Sequence, residues 1–327
     1  MSSKTPLISI VIPTYNRQHL IERAVQSVFR QTYPHWELHI IDDGSTDNTW
    51  SFLLANLPSW KRQIHSFGRN NKSIQIHQTE HRGVSHARNF GIGKSVGEWI
   101  SLLDSDDEWY PEKLTKQIEF HHEHPEILFS QTKEVWNKKG NLLEPKGKYQ
   151  KRSGDFLKES LEICMVTCSS FMAHKKTWES VGNFREEMKT CEDYDLWNRI
   201  LLKQYPIGLL AENLLVRYGG HEDQLSNQFQ AVERFRLYSL LSTRNEQISN
   251  GESIQNRNHL SEENQSFHGN SRILLKEAIL ERMDTLAQGR KKRGKDVQFL
   301  THFQSLFLKD EPIPQKDLLT LLDDSLF

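Results

Sequence analysis

Along the first third of the chain, short unbroken apolar runs alternate with longer stretches of helical spacing. Leu7–Ile12, Leu38–Ile41, Ile74–His77 and Trp99–Leu103 are mostly apolar and β-branched, the third being the most polar. Runs of this kind are expected of strands covered on both faces. Between them, Leu20, Ile21, Ala24, Val25, Val28 and Phe29 draw one apolar stripe along a helix. Trp50–Leu57, Ser85–Lys94 and Pro111–His122 predict further helices, with Pro111 placed where a first turn accepts it. Strands alternating with helices predict right-handed βαβ units and a parallel sheet.

In such sheets ligands bind beyond the carboxyl ends of the strands. The first strand runs into Pro13-Thr14-Tyr15-Asn16-Arg17, the second into Asp42-Asp43-Gly44-Ser45 and the fourth into Asp104-Ser105-Asp106-Asp107. Three polar clusters are therefore expected on one rim. A later strand is expected over Gly208–Val216. Beyond about residue 225, Ala231–Thr243, Ser271–Gln288, Val297–Leu308 and Gln315–Leu322 predict helices. Residues 245–268, rich in Asn, Ser, Gln and Glu, read as a polar linker or loop. The expected organisation is an α/β domain over 1–228, divided near residue 107, and a helical extension over 229–327.

Composition narrows the classes. With 42 Lys and Arg against 43 Asp and Glu, the formal charge is −1, which argues against a dedicated nucleic-acid binder. The three cysteines, Cys164, Cys168 and Cys191, are too few for a disulfide scaffold and predict reduced thiols in the cytoplasm. Cys164 and Cys168 lack the second pair a zinc site would need. No segment has the pattern of a signal peptide or the ~20 apolar residues of a membrane span. The expectation is a soluble protein, with peripheral attachment at the inner face of a membrane left open.

The rim clusters carry the candidate chemistry. Asp104 and Asp106 follow an apolar strand directly, and two carboxylates at that spacing can share a hard cation with a substrate phosphate. An isolated D-x-D more often simply ends a strand; here Asp107 crowds the same loop, and clustered acids call for a counter-charge. Asp42 and Asp43 can accept from a base or ribose, or can merely form a turn that caps the next helix. Arg82 and Arg88 bracket a helix start and suit phosphate by their planar forks. Glu192-Asp193-Tyr194-Asp195 opens a helix, where acids are favoured by the dipole anyway; the chemical alternative is a general base for an acceptor hydroxyl. Arg290-Lys291-Lys292-Arg293 with Lys295 reads as a solvated run, with contact to an anionic membrane as the alternative.

Taken together, these segments resemble family 2 glycosyltransferases. The resemblance rests on Ile10-Val11-Ile12-Pro13-Thr14-Tyr15-Asn16-Arg17, Asp42-Asp43-Gly44-Ser45-Thr46-Asp47, Arg82-Gly83, Ala87-Arg88-Asn89 with Gly91, Leu103-Asp104-Ser105-Asp106-Asp107 and Glu192-Asp193-Tyr194-Asp195-Leu196-Trp197. Their order matches over about residues 5–225 and leaves the C-terminal third uncovered. The resemblance implies a GT-A fold, a Rossmann-like, mixed but mostly parallel sheet flanked by helices, here with a helical C-terminal extension. It implies transfer with inversion from a nucleoside-diphosphate sugar, uridine by default, to a hydroxyl of a saccharide or lipid-linked saccharide in surface polysaccharide or glycan assembly. Thr14, Tyr15 and Asp43 are implied near the nucleobase with Asp42 beside them, and Arg17, Arg82 and Arg88 near the nucleotide. Asp104 is implied on ribose or metal, Asp106 on Mn²⁺ or Mg²⁺, and Asp193 as general base with Glu192 adjacent. His221 resembles a late histidine that some members bring to the metal or diphosphate. The Q-x-x-R-W motif and membrane helices of processive synthases are not in this sequence, which implies one sugar per encounter.

Two other classes fit part of the pattern. A nucleotidyltransferase making nucleotide sugars would need a Gly-rich basic loop where Thr14-Tyr15-Asn16-Arg17 stands. A non-catalytic nucleotide-sugar binding module would have no use for Asp193. The helical tail admits homo-oligomerisation, closure over an acceptor, or membrane contact.

Overall fold

The computed structural model describes residues 5–66, 71–219, 229, 231–249 and 262–327. In chain order the elements are β1 (Ile8–Thr14), α1 (Ile21–Phe29), β2 (Trp36–Asp42), α2 (Thr49–Ser66), β3 (Lys72–Gln78), α3 (Val84–Lys94), β4 (Trp99–Leu102), β5 (Glu108–Trp109), α4 (Lys113–Glu123), β6 (Phe129–Lys138) and β7 (Asn141–Leu143). There follow α5 (Leu157–Glu162), β8 (Met172–His174), α6 (Lys175–Val181), α7 (Glu192–Leu202), β9 (Ile207–Tyr218), α8 (Glu233–Ser249), α9 (Glu262–Lys292), α10 (Gln298–Leu308) and α11 (Gln315–Leu318). They form two compact units: one of residues up to 156, 165–186 and 203–221, the other of 157–164, 187–202 and the chain from 222 on.

The first unit is built on one nine-stranded sheet ordered β3-β2-β1-β4-β8-β6-β9-β5, with β7 paired to β6. The four expected strands are its parallel half: β1 pairs in parallel with β2 and β4, and β2 with β3. β8 then runs antiparallel to β4 and β6, while β6 and β9 are parallel. Of this second half only β9 was legible, because β6 buries Ser130, Gln131, Thr132 and Glu134 and so shows no apolar signature.

Ile8, Ile10, Ile12, Leu38 and Ile40 meet the stripe of α1 and the Leu53, Trp60 and Ile64 side chains of α2 in one core. Each such buried side chain contributes about 1.5–3 kcal/mol. α2 is longer than the sequence pattern suggested, since Trp60 and Ile64 carry the buried stripe past Pro58. α3 approaches β1 so closely that a Cβ at Gly91 would lie 2.4 Å from Val11 Cγ1.

The second unit is helical. α9 buries Leu275, Ile279, Met283 and Leu286 along one face; α8 buries Phe235, Leu237, Leu240 and Leu241. The stretch expected as a linker, 245–268, carries helix at both ends, 245–249 and 262–268; its middle lies outside the described residues. Its first polar residue is an internal hydrogen-bonding group: Asn245 donates to the Ile313 carbonyl at 2.6 Å and accepts from the Ile313 amide at 3.1 Å.

Candidate active site

The parallel register sets Thr14 beside Asp42 at the carboxyl ends of β1 and β2. Two exit loops are stitched together just beyond. Asn16, in a left-handed conformation with φ +53°, accepts from the Thr46 amide at 2.8 Å and the Asp47 amide at 3.2 Å. Its own amide donates to Ser45 Oγ at 2.9 Å, and the Arg17 amide to Thr49 Oγ1 at 2.9 Å. Thr14 is buried, and its hydroxyl has no hydrogen-bond partner among the described residues. A buried hydroxyl left unmatched costs on the order of 1–3 kcal/mol.

Asp42 and Asp43 are both buried. Asp42 accepts from the Ser45 hydroxyl and from Gln78 Nε2 at 3.0 Å. Asp43 accepts from the amides of Arg82 at 3.0 Å and Gly83 at 2.8 Å and meets His81 Nδ1 at 2.8 Å. These carboxylates shape the turns around them and are not presented to solvent. The Tyr15 ring stacks on His81 with centroids 4.0 Å apart. The Arg82 side chain pairs with Glu186 at 2.8 Å on the surface.

The loop after β4 concentrates the acids. Arg88, buried on α3, donates to Asp104 Oδ1 at 2.8 Å. Ser169 clamps the loop twice: its Oγ accepts from the Asp104 amide at 3.1 Å and donates to Asp107 Oδ2 at 2.6 Å. Arg23 donates to the Asp106 carbonyl at 2.6 Å and lies 3.5 Å from the Tyr218 ring centroid. Burial pushes the Asp106 carboxyl above the usual range and the charge of Asp104 adds to it, while Arg17 and Arg217 pull it back. Asp107 is raised well above that range by burial and then by Asp106. Burial is the first cause in both, so the loop holds its carboxyls largely out of water, with Arg17, Arg88 and Arg217 acting on them.

Beside it, Glu134 shows what full compensation looks like. Burial would raise this carboxyl, but Lys151 at 3.1 Å and Arg217, with bonds from Trp136 and Thr167, bring it down to about 2.

In the helical unit, Glu192 and Asp193 open α7. Asp193 accepts from the Tyr194 amide at 2.7 Å and from Cys164 Sγ at 3.4 Å. Asp195 is fully buried, pairs with Arg199 at 2.8 Å and accepts from Ser239 at 2.9 Å.

The first unit therefore brings together Thr14, Tyr15, Arg17, Asp42, Asp43, Arg82, Arg88, Asp104 and Asp106 along the ends of its parallel strands. Asp193 and Glu192 belong to the other unit, and His221 lies outside the described residues. Sequence reasoning missed Arg23, Glu134, Lys151 and Ser169 as neighbours of the site. Arg23 sits beside the apolar stripe of α1 and was in reach of a helical-face reading; nothing in the sequence ties Ser169 to Asp107.

Comparison with known proteins bears on family and fold. The family model described as glycosyl transferase family 2 matches residues 9–179, more than half of the chain. An uncharacterized glycosyltransferase of Rickettsia felis is 30% identical over 215 residues, covering 65% of this chain and 33% of that protein. The chain thus spans about a third of the length of the first curated relatives it matches. WfgD of Escherichia coli, a UDP-Glc:alpha-D-GlcNAc-diphosphoundecaprenol beta-1,3-glucosyltransferase, is 27% identical over 230 residues, 70% of this chain and 83% of WfgD. Among solved structures, S. aureus TarS in complex with UDP-GlcNAc superposes with a TM-score of 0.59 at 18% identity, over 93% of this chain and 88% of that one. The mannosyltransferase PcManGT of Pyrobaculum calidifontis, in complex with GDP-Man and Mn²⁺, gives 0.52 at 17% identity, over 97% and 85%. These likenesses show a GT-A fold, a mixed sheet flanked by helices with helices following it. With its family model matched over the strands, turns and acidic loop just described, the chain belongs to glycosyl transferase family 2.

Proposed function

We propose that this protein transfers one sugar per encounter, with inversion, from a nucleoside-diphosphate sugar, uridine-linked by default, to a hydroxyl of a saccharide or lipid-linked saccharide in surface-glycan assembly. The observation that carries this reading is the acidic loop at the end of β4, where Asp104 and Asp106 stand together with Arg17, Arg88 and Arg217 acting on them. Among the described residues no group of three or more His, Cys, Asp or Glu forms a self-sufficient metal cage. Two carboxylates at the spacing of Asp104 and Asp106 are instead a donor set for Mg²⁺ or Mn²⁺, which take one or two carboxylates plus substrate phosphates. Asp106, with Asp104, would hold that ion, and its chemistry there would be to neutralise the diphosphate as the sugar departs.

The remaining roles fall to the chain itself. Thr14 and Tyr15 receive the nucleoside at the end of β1, and Asp42 and Asp43 act through the turns they hold. Arg17, Arg82 and Arg88 bring positive charge to the nucleotide. Asp193, with Glu192 beside it, takes the proton of the acceptor hydroxyl. The acceptor oxygen attacks the anomeric carbon from the face opposite the diphosphate, which leaves with the electron pair of the broken bond.

Thermal denaturation with a panel of nucleotide sugars, with and without Mn²⁺, tests this reading. A donor that binds the folded state raises the midpoint in proportion to the logarithm of its concentration over Kd. The expected result is stabilisation by a UDP-sugar that requires Mn²⁺, followed by release of UDP when acceptor is added. No stabilisation by any nucleotide sugar, or release of pyrophosphate in place of UDP, would overturn it.

A further inference from the structure

We propose that the β6–β7 hairpin is a membrane-docking wedge that places Leu142 and Leu143 in an anionic lipid surface. The hairpin closes through Lys139 and Gly140, with φ +54° and +88°, the two positive values of a tight primed turn that matches strand twist. The Gly140 amide is held by Asn137 Oδ1 at 2.8 Å. Trp136 lies opposite Leu143 and Asn137 opposite Leu142.

Successive residues of a strand face opposite ways, yet Leu142 and Leu143 are 56% and 48% exposed. Both faces of β7 are therefore open. Lys138, Lys139, Lys146 and Lys148, all exposed, flank the leucines in sequence, and within 138–148 Glu144 is the one acid, engaged by Asn213 at 2.9 Å. This is a local cationic excess on a chain of net charge −1. Lysines alone are the ordinary protection of an edge strand. Two exposed leucines side by side defeat that purpose; with cations around them they suit a surface that is apolar inside and negative at its face.

The base of the hairpin has the matching interfacial chemistry. Trp136 and Tyr149 sit 5.6 Å apart, with Lys138 and Lys148 within 5.1 and 5.4 Å of their rings. Tyr149, half-exposed, has the polar tip that favours the headgroup level, while Trp136 Nε1 is held inward by Glu134 and anchors the base. The hairpin also walls a cleft of about 350 Å³ reaching Glu108, the neighbour of Asp107 in sequence, so docking there would set the acidic loop beside the lipid. The basic run at the end of α9 fits less well. Arg290 is buried against Phe299 and Phe327, and Lys295 donates to the Phe327 carbonyl.

Flotation of the full chain with phosphatidylcholine vesicles, containing or lacking phosphatidylglycerol, tests the wedge and needs no nucleotide. The chain is expected to float with the anionic vesicles, less so at high salt. Leu142→Ser with Leu143→Ser, and separately Gln at Lys138, Lys139, Lys146 and Lys148, should each weaken partitioning at least about tenfold with the unfolding midpoint unchanged. Gln at Lys291, Lys292 and Arg293 should leave it intact. No binding by the unaltered chain overturns the proposal, as does loss confined to the 291–293 variant. So do hairpin variants that alter self-association while leaving vesicle binding intact.

Discussion

Two acidic clusters, Asp104–Asp107 after β4 and Glu192–Asp195 at the start of α7, look alike in sequence and differ in how their charge is met. In the helix, Asp195 has Arg199 and Ser239, and Asp193 has the Tyr194 amide. A helix N-terminus welcomes such acids in any case. In the loop, Arg88 bonds Asp104, while burial and then Asp104 raise the Asp106 carboxyl, and burial and then Asp106 raise that of Asp107. Acids whose charge is met at a helix start can serve the fold; acids held out of water with raised carboxyls are the better place for a cation.

The sharpest way to break this contrast is to neutralise one acid in each cluster. Asp106→Ala should lower transfer by about a hundredfold or more and abolish Mn²⁺-dependent UDP binding by calorimetry. Asp193→Asn should lower turnover by roughly a thousandfold while UDP binding persists. If both variants lose UDP binding, or neither does, the division of roles is wrong.

Glu134 supplies an internal standard, a buried acid whose charge is matched. Glu134→Gln takes the carboxylate away from Lys151, 4% exposed, and should destabilise the protein by about 3 kcal/mol at neutral pH. The sign follows from a carboxyl held near 2 against an ordinary 4.5. The native state binds fewer protons there than the unfolded chain, so this stability is complete above that upper value and drains away as pH falls toward the lower one. The gap in unfolding midpoint between the two proteins should therefore narrow over that window. A constant gap would mean that packing, not charge, sets the difference.

The smallest expected effect is at Thr14. Thr14→Val removes a buried hydroxyl that lacks a partner among the described residues, so stability should hold or rise slightly. Donor Kd should increase roughly tenfold if the nucleotide is the missing partner. Unchanged affinity would assign the hydroxyl to the core.

Much of this was legible along the chain. The apolar runs of β1, β2 and β4 and the stripe of α1 declare themselves because strands covered on both faces and one-sided helices leave periodic signatures. From those elements alone, the rule that ligands gather at strand ends already put Thr14, Asp42 and Asp104 on one rim. β6 was not legible, because several residues it buries are polar, Glu134 among them bonded to the distant Lys151 and Thr167. The hairpin was not legible either, since two leucines among lysines look the same in sequence whether buried or bare.

By itself, then, the sequence determined the parallel half of the sheet, the rim and the identity of the acids on it, all consequences of local periodicity and chain order. Tertiary structure alone decided how each acid is met, through Ser169, Arg217 and Lys151 arriving from far along the chain, and which leucines remain exposed. Charge compensation and burial depend on spatial neighbours, and spacing along the chain does not encode them.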